Sequence, residues 1–201
     1  LKTKMMLSFI GVGIVPVVIL WGITTKKMSD TIDFNFTKQI MFLKENKKSE
    51  IEELYRSMDL QIRQIALSSE TLNYFKQYQN SYYSVPNDEI DKKRDELKSY
   101  YNTKFKEMYE KTSGTTLARD TDKYVDGLSK QGTYLQYNYV VKNSFPMGEK
   151  IKLTTATDHS DYSNLHAKSH DYFKNFVERF GYYDAFLVDL KGEVLYSAFK
   201  E

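Results

Sequence analysis

The rhythm of apolar and polar positions changes several times along this chain, and each change marks a different element. Met5 to Ile23 (MMLSFIGVGIVPVVILWGI) is an apolar run without a single charge. As a helix rising ~1.5 Å per residue it extends roughly 28 Å, close to the hydrocarbon thickness of a bilayer. Lys2 and Lys4 precede the run, Lys26 and Lys27 follow it, and Trp21 stands where an interfacial aromatic belongs. Gly11, Gly13 and Pro16 weaken a soluble helix but are tolerated in a membrane span. The competing reading is a cleaved signal peptide. Its apolar core is shorter, ~7–15 residues, and Trp21-Gly22-Ile23-Thr24-Thr25 lacks a small-x-small cleavage pattern. The run is therefore read as an uncleaved anchor over residues 1–27. Its N-terminus is placed inside because no second span follows; the lysines tie at two on each side.

From Ile32 the apolar residues run Ile32, Phe36, Ile40, Leu43, Ile51, Leu54, Met58, Ile62, Ile65, Leu72 and Phe75. Steps of three and four, with Lys47 and Ser69 in skipped turns, predict one helix of period near 3.5 from about residue 30 to 78. A helix of roughly 70 Å is not stable alone in water, so this one requires a partner helix, a second subunit or a domain laid along it. Asn80 to Asn87, with Pro86, breaks the pattern. Asp88 is the expected cap of a second helix from Glu89 to Lys111, carrying Ile90, Leu97, Tyr101, Phe105 and Met108. The two segments are candidates for a helical hairpin, and Ser113-Gly114-Thr115-Thr116 closes the helical region 28–112.

Beyond Thr121 the character changes. Thr133 to Val141 (TYLQYNYVV) reads as a strand or as an aromatic-rich helix, and periodicity does not separate the two. Phe145-Pro146-Met147-Gly148 is a loop. Asp161 to Phe180 returns to helical spacing, and Gly181 is expected to end it in the left-handed conformation. Two short apolar runs follow, Tyr183 to Leu190 and Glu193 to Lys200. Lys191-Gly192 between them and Asp189 before them predict a β-hairpin. Alternation places Asp184, Phe186 and Val188 on one face, with Ala185, Leu187 and Asp189 on the other. On the second strand it groups Tyr196 with Val194 and Ala198.

Composition narrows the function classes. A chain that is 41% hydrophobic and 28% charged is ordinary globular material. A net charge of +2, from interspersed acids and bases, argues against a nucleic-acid surface. The absence of cysteine excludes disulfides and thiolate metal sites. Seventeen tyrosines, concentrated beyond residue 100, supply flat apolar rings with polar tips suited to packing, pockets and interfaces. Leu1 is not a methionine, and Glu201 directly follows an apolar run, so both ends read as cuts within a longer protein.

The stretches YLQYNYVVKNSFPMGEK and YSNLHAKSHDYFKNFVERFGYYDAFLVDLKGEVLYSAFKE resemble the extracytoplasmic sensing region of bacterial methyl-accepting chemotaxis receptors and related transmembrane sensors. The likeness covers Tyr134 to Glu201, about a third of the chain, and FGYYDAFLVD and YSAFKE are its distinctive pieces. It implies a PAS/Cache-like antiparallel sheet, opened by the hairpin and cut short at Glu201. It further implies small-ligand sensing, a homodimer, a cytoplasmic signalling module beyond the fragment, and a place in the bacterial inner membrane with the sensing domain periplasmic or extracellular. The chain departs from the common double-Cache pattern in lacking an Arg-x-Trp-Tyr box, which leaves an amino-acid ligand unsupported.

PAS-like domains hold ligands between the sheet and the elements covering it. The expected ligand-binding set is therefore Tyr137, Tyr139, His166, His170, Tyr183, Asp184 and Tyr196. His166 and His170 lie four apart on one helical face. Two ligands fall short of a metal site, even with His159, Asp161 and Asp171 nearby in sequence, and hydrogen bonding to the adjoining sheet is the plainer use of both rings. No nucleophile elbow, Walker loop, dinucleotide-binding glycine pattern or His-Glu-x-x-His appears. Glu52-Glu53 and Asp88-Glu89 read as solvated charges. The expectation is thus an α+β chain (anchor 1–27, helical region 28–112, sensing domain 113–201) without cofactor, metal or catalytic residue. A membrane-tethered coiled coil is the alternative, and a metal-dependent enzyme the weaker one.

Overall fold

The structure, a computed structural model, describes residues 2–118 and 120–200, with the side chains of Met5 and Leu7 left aside. It is mostly helical, with one small antiparallel sheet among the described residues. Contacts divide the chain into two compact units, Leu1–Ile65 and Ala66–Glu201. The division falls inside the region 28–112.

The first unit is helical throughout its described length. Helix α1 (Lys2–Phe9) passes through a wider π-type turn at Ile10–Ile14 into α2 (Val15–Ala66). Gly11 and Gly13 occupy that turn, and Pro16 follows it within the continuing helix, where its missing N–H removes one backbone hydrogen bond. The N-terminal part is long and apolar enough to cross a membrane. Farther along α2, the row Ile32, Phe36, Ile40, Leu43, Lys47, Ile51, Leu54, Met58, Ile62 and Ile65 advances by four, four and three residues, three times over. The repeat is thus 11 residues. At about 3.67 residues per turn it favours a straight or slightly right-handed course, where a period of 3.5 would impose a left-handed one. Most of the row is exposed, Phe36 at 63% and Leu54 at 59%, whereas Met58 and Ile65 are half-buried. Lys47 pairs with Glu50 on the same helix at 2.6 Å.

The expected continuous helix to residue 78 is interrupted. Ser68 adopts an extended conformation, and its hydroxyl accepts from the Thr71 amide at 3.1 Å, so a new helix, α3 (Ser69–Tyr83), starts there. The interruption is fixed from outside as well as locally, since Ser68 Oγ also lies 2.9 Å from the Tyr172 hydroxyl. The second helix begins as α4 (Ile90–Tyr100), passes a π-type turn at Tyr101–Phe105, and ends as α5 (Lys106–Ser113) with Gly114 at φ 67. Its N-cap is Glu89 at φ 53, with no side-chain cap, so the expected Asp88 cap is not formed. The expected hairpin is also replaced: α3 packs on helix α8 (Asp161–Phe180), whereas α4 packs on α6 (Asp122–Asp126) and α7 (Lys130–Gln136). Arg94 ties α4 to α6 by donating to the Val125 carbonyl at 2.6 Å. Thr133–Val141 is helical, α7 running into a π-type turn at Tyr137–Val141.

Helix α8 occupies the predicted residues. Ser160 caps its start by accepting from the Ser163 amide at 3.2 Å, and Gly181 ends it at φ 69. The hairpin also forms, from β1 (Phe186–Val188) and β2 (Val194–Ser197). Asp189 Oδ1 accepts from the amides of Lys191 (2.8 Å) and Glu193 (3.0 Å), and Gly192 supplies φ 85. Alternation fails on β2. A register shift after Leu187 pairs Val188 with Val194, so Leu195 and Tyr196 both turn inward while Val194 stays exposed. Tyr196 therefore does not share its surroundings with Val194.

Candidate functional site

Helix α8 builds the site. Its buried row of Tyr162, Ser163, His166, Ser169, His170, Phe173 and Val177 follows helical spacing and faces α3, β2 and the π-type turn at Tyr137–Val141. Aromatic rings meet along that row: Tyr139 on His166 at 4.7 Å, His166 on His170 at 4.5 Å, and Tyr196 against Phe173 at 5.0 Å and Tyr78 at 5.0 Å. Burying so many hydroxyls requires a partner for each. Tyr78 reaches Ser169 Oγ at 2.7 Å, Tyr139 reaches Ser163 Oγ at 2.9 Å, and Tyr162 donates to the Leu195 carbonyl at 2.8 Å. Loss of hydration holds the Tyr78, Tyr139, Tyr162 and Tyr196 hydroxyls well above the usual phenol range, so they remain neutral donors.

The two histidines are fixed differently. A carbonyl only accepts, so the Thr154 carbonyl 2.5 Å from His166 Nδ1 assigns the proton to Nδ1. His166 Nε2 is then an acceptor, and it has no partner although the residue is only 1% exposed. His170 Nε2 donates to the Ile151 carbonyl at 2.5 Å, leaving Nδ1 to accept from the Tyr196 hydroxyl at 2.7 Å. Burial first, then the nearby Lys200, pushes both imidazoles down, His166 well below its ordinary value and His170 to about 4. Both rings are neutral at physiological pH.

A cavity of about 500 Å³ opens beside this row. Its walls include Tyr82, Tyr101, Leu128, Leu135, Tyr139, Tyr162, His166, Tyr196 and Lys200, and Gly192 and Glu193 of the hairpin turn form its rim. The π-type turns contribute Tyr101, Tyr139 and Val140, consistent with the enrichment of such turns at functional sites. Glu193 accepts from the hydroxyls of Tyr82 at 2.5 Å and Ser129 at 3.1 Å, which ties the turn to α3 and to the start of α7.

Of the expected ligand-binding residues, Tyr139, His166, His170 and Tyr196 come together here; three line the cavity, and His170 backs it through Tyr196. The others lie elsewhere. Tyr137 points its hydroxyl to Glu96 at 3.4 Å and carries Lys142 over its ring. Tyr183 is 80% exposed and stacks on Phe199. Asp184 clamps the open end of the hairpin: Oδ1 accepts from the amides of Ala185, Ala198 and Phe199 at 2.6, 2.9 and 2.9 Å, and Oδ2 from Ser197 Oγ at 2.7 Å. Sequence reasoning missed Tyr162, Tyr82 and Lys200. Tyr162 was accessible from its spacing four residues before His166, whereas Tyr82 and Lys200 reach the cavity only through tertiary packing. Among the described residues no group of three or more His, Cys, Asp or Glu side chains is arranged to hold a metal ion. Comparison with family models, curated proteins and solved structures finds no match.

Proposed function

We propose that this chain is the ligand-sensing part of a transmembrane receptor, in which residues 66–201 bind a small molecule and α2 carries the response toward the membrane. The observation that carries the reading is the aromatic cavity, with its unpartnered buried nitrogen on His166. A closed structural domain has little use for a cleft bordered by an unsatisfied polar atom, whereas a binding site uses both. The sequence likeness to chemotaxis receptors points the same way. It supplies the finer parts of the proposal: a PAS/Cache-like domain, chemotaxis output through a cytoplasmic module, and a bacterial cytoplasmic membrane with the sensing unit outside.

The exposed part of the row on α2, from Ile32 to Leu54 with its 11-residue repeat, extends the proposal to a homodimer. A second copy anchored in the same bilayer presents the identical row in parallel orientation, so the two rows meet residue for residue along the helix. Ligand binding then acts by favouring one of two packings, as a small shift or rotation of the helix pair.

The test is a thermal-shift screen of the full chain in lipid nanodiscs against small metabolites. A binder at a hundred times its Kd stabilises by about 2.7 kcal/mol, a shift of several degrees. Tyr196→Phe keeps the ring that faces the cavity but leaves His170 Nδ1 without its donor, so it is expected to lower stability by about 1–3 kcal/mol while changing the affinity of such a binder little. A broad screen without a saturable shift would remove the sensor reading and leave a membrane-tethered helical protein.

A further inference from the structure

Among the described residues two buried side-chain atoms lack a partner, Asp158 Oδ1 and His166 Nε2, and of the two only His166 borders the cavity. The hydroxyls and charges of the wall are engaged. Those of Tyr82, Tyr101, Tyr139, Tyr162 and Tyr196 meet protein partners, so these residues offer a ligand mainly their rings. Glu193 accepts from Tyr82 and Ser129, and Lys191 lies over the Tyr83 ring. Lys200, held at φ 63 just past β2, donates from Nζ to the Ala198 carbonyl at 3.0 Å. A charged ligand would lose its hydration here without an uncommitted counter-charge to replace it, whereas an uncharged one carries no such cost.

The setting of His166 fixes what can meet that nitrogen. Nδ1 donates to the Thr154 carbonyl, and Thr154 is not part of the cavity wall, so the ring edge carrying Nδ1 is turned away from the cavity. Tyr139 and His170 lie against the ring, with centroids 4.7 and 4.5 Å away. By elimination, the edge bearing Nε2 is the part left to face the cavity. Burial first, then Lys200, keeps the imidazole neutral, so Nε2 holds a lone pair and no proton. It can accept and cannot donate. A fixed water would be poorly served at this point. Buried waters keep about three hydrogen bonds, and the neighbouring hydroxyls of Tyr139 and Tyr196 are already committed.

We propose that the cavity takes a flat, uncharged ring compound bearing a hydroxyl or ring N–H, and that this group donates to His166 Nε2. The proposal rests on the reading of residues 66–201 as a ligand-binding unit and names the class of ligand. The ligand's ring lies among Tyr139, Tyr162 and Tyr196, where offset or edge-on contacts suit it, with Leu128, Leu135 and Val140 as apolar walls. Its donor supplies the hydrogen bond that His166 lacks. Phenols and indole-like compounds are thereby separated from hydrocarbons of the same shape, because an analogue without the donor leaves the acceptor buried and unpaired.

Calorimetry on the full chain in nanodiscs provides the test, with phenol, 2-naphthol and indole as donors. Toluene, 2-methylnaphthalene and indene serve as isosteres without the donor, and empty discs correct for partition into lipid. At least one donor is expected to bind. Its preference over its isostere, the ratio of the two dissociation constants, should fall about tenfold or more in His166→Phe, which keeps a ring and removes Nε2. Isostere affinity stays within twofold in that variant and so reports an intact cavity. Where the variant does not fold, solid-state nitrogen-15 spectra of the histidine-labelled parent protein decide. The chain has three histidines, and the His166 Nε2 signal moves upfield on saturation with the donor and not with the isostere. A preference equal in parent and variant, or an Nε2 signal indifferent to a saturating donor, would overturn the donor subsite and leave the sensor reading standing. Failure of every probe to bind, alongside a saturable hit in the metabolite screen, would do the same. Silence in both experiments would overturn the two readings together.

Discussion

In Leu1–Ile65 the large apolar side chains stand in the open, with Phe36, Leu43, Ile51 and Leu54 all exposed along α2. In Ala66–Glu201 the order is inverted: Tyr78, Tyr82, Tyr196, His166 and His170 are buried together with Ser163 and Ser169. The first unit leaves hydrophobic surface unspent and has almost no internal tertiary packing to lose. The second has hidden polar atoms, nearly all of them partnered, and its stability depends on keeping those bonds; Asp158 Oδ1 and His166 Nε2 are the unpartnered exceptions among the described residues. A substitution of similar severity should therefore be read out as association in one unit and as folding in the other.

The largest expected effect is on assembly. Ile62→Asp places a charge in the exposed row of α2, where it disturbs no buried contact within one chain. The far-ultraviolet dichroism and unfolding midpoint of the second unit should remain those of the parent, while sedimentation in detergent is expected to show the proposed dimer weakened by a hundredfold or more, about 2.7 kcal/mol or above. Unchanged sedimentation would mean that this row faces water in the assembled protein and would end the symmetry argument.

Asp184→Ala comes next and falls on folding. The change removes the acceptor of three amides and one hydroxyl at the open end of the hairpin, including the amides that set the turn of Lys200. A loss of about 2–4 kcal/mol in denaturant unfolding is expected, with the oligomeric state of the folded fraction intact. Parent-like stability would show that the clamp is dispensable and that the backbone holds Lys200 by other means.

Gly181→Val should give the smallest change. Gly181 ends α8 at φ 69, with no heavy atom crowding the place a Cβ would take, so the penalty is conformational and not steric. About 1–2 kcal/mol of destabilisation is expected, and Gly181→Asn should recover part of it, since asparagine tolerates the left-handed region. Equal midpoints for the valine and parent proteins would require the helix to end differently.

Local chemistry made several elements legible in advance. The uncharged run from Met5 to Ile23 needs only composition and length to read as long and apolar enough for a membrane. Helix α8 was readable because capping at Gly181 depends on one residue's freedom at positive φ, and the Asp189–Gly192 turn because its hydrogen bonds close within five residues. His166, His170, Tyr139 and Tyr196 were singled out for the polar tips they carry, and they do converge. Tertiary structure decided what these signals leave open. The break at Ser68 depends on a tyrosine 104 residues away as well as on the local cap. The partner of α3 is α8 instead of its sequence neighbour, because helical periodicity states which face is apolar and not what will cover it. The bulge in β2 overrides alternation, a period-two rule that one extra residue is enough to break. Lys200 carried no signal at all. A lysine after an apolar strand reads as solvated, and only the hairpin clamp and the left-handed turn bring its ammonium beneath the surface beside two histidines.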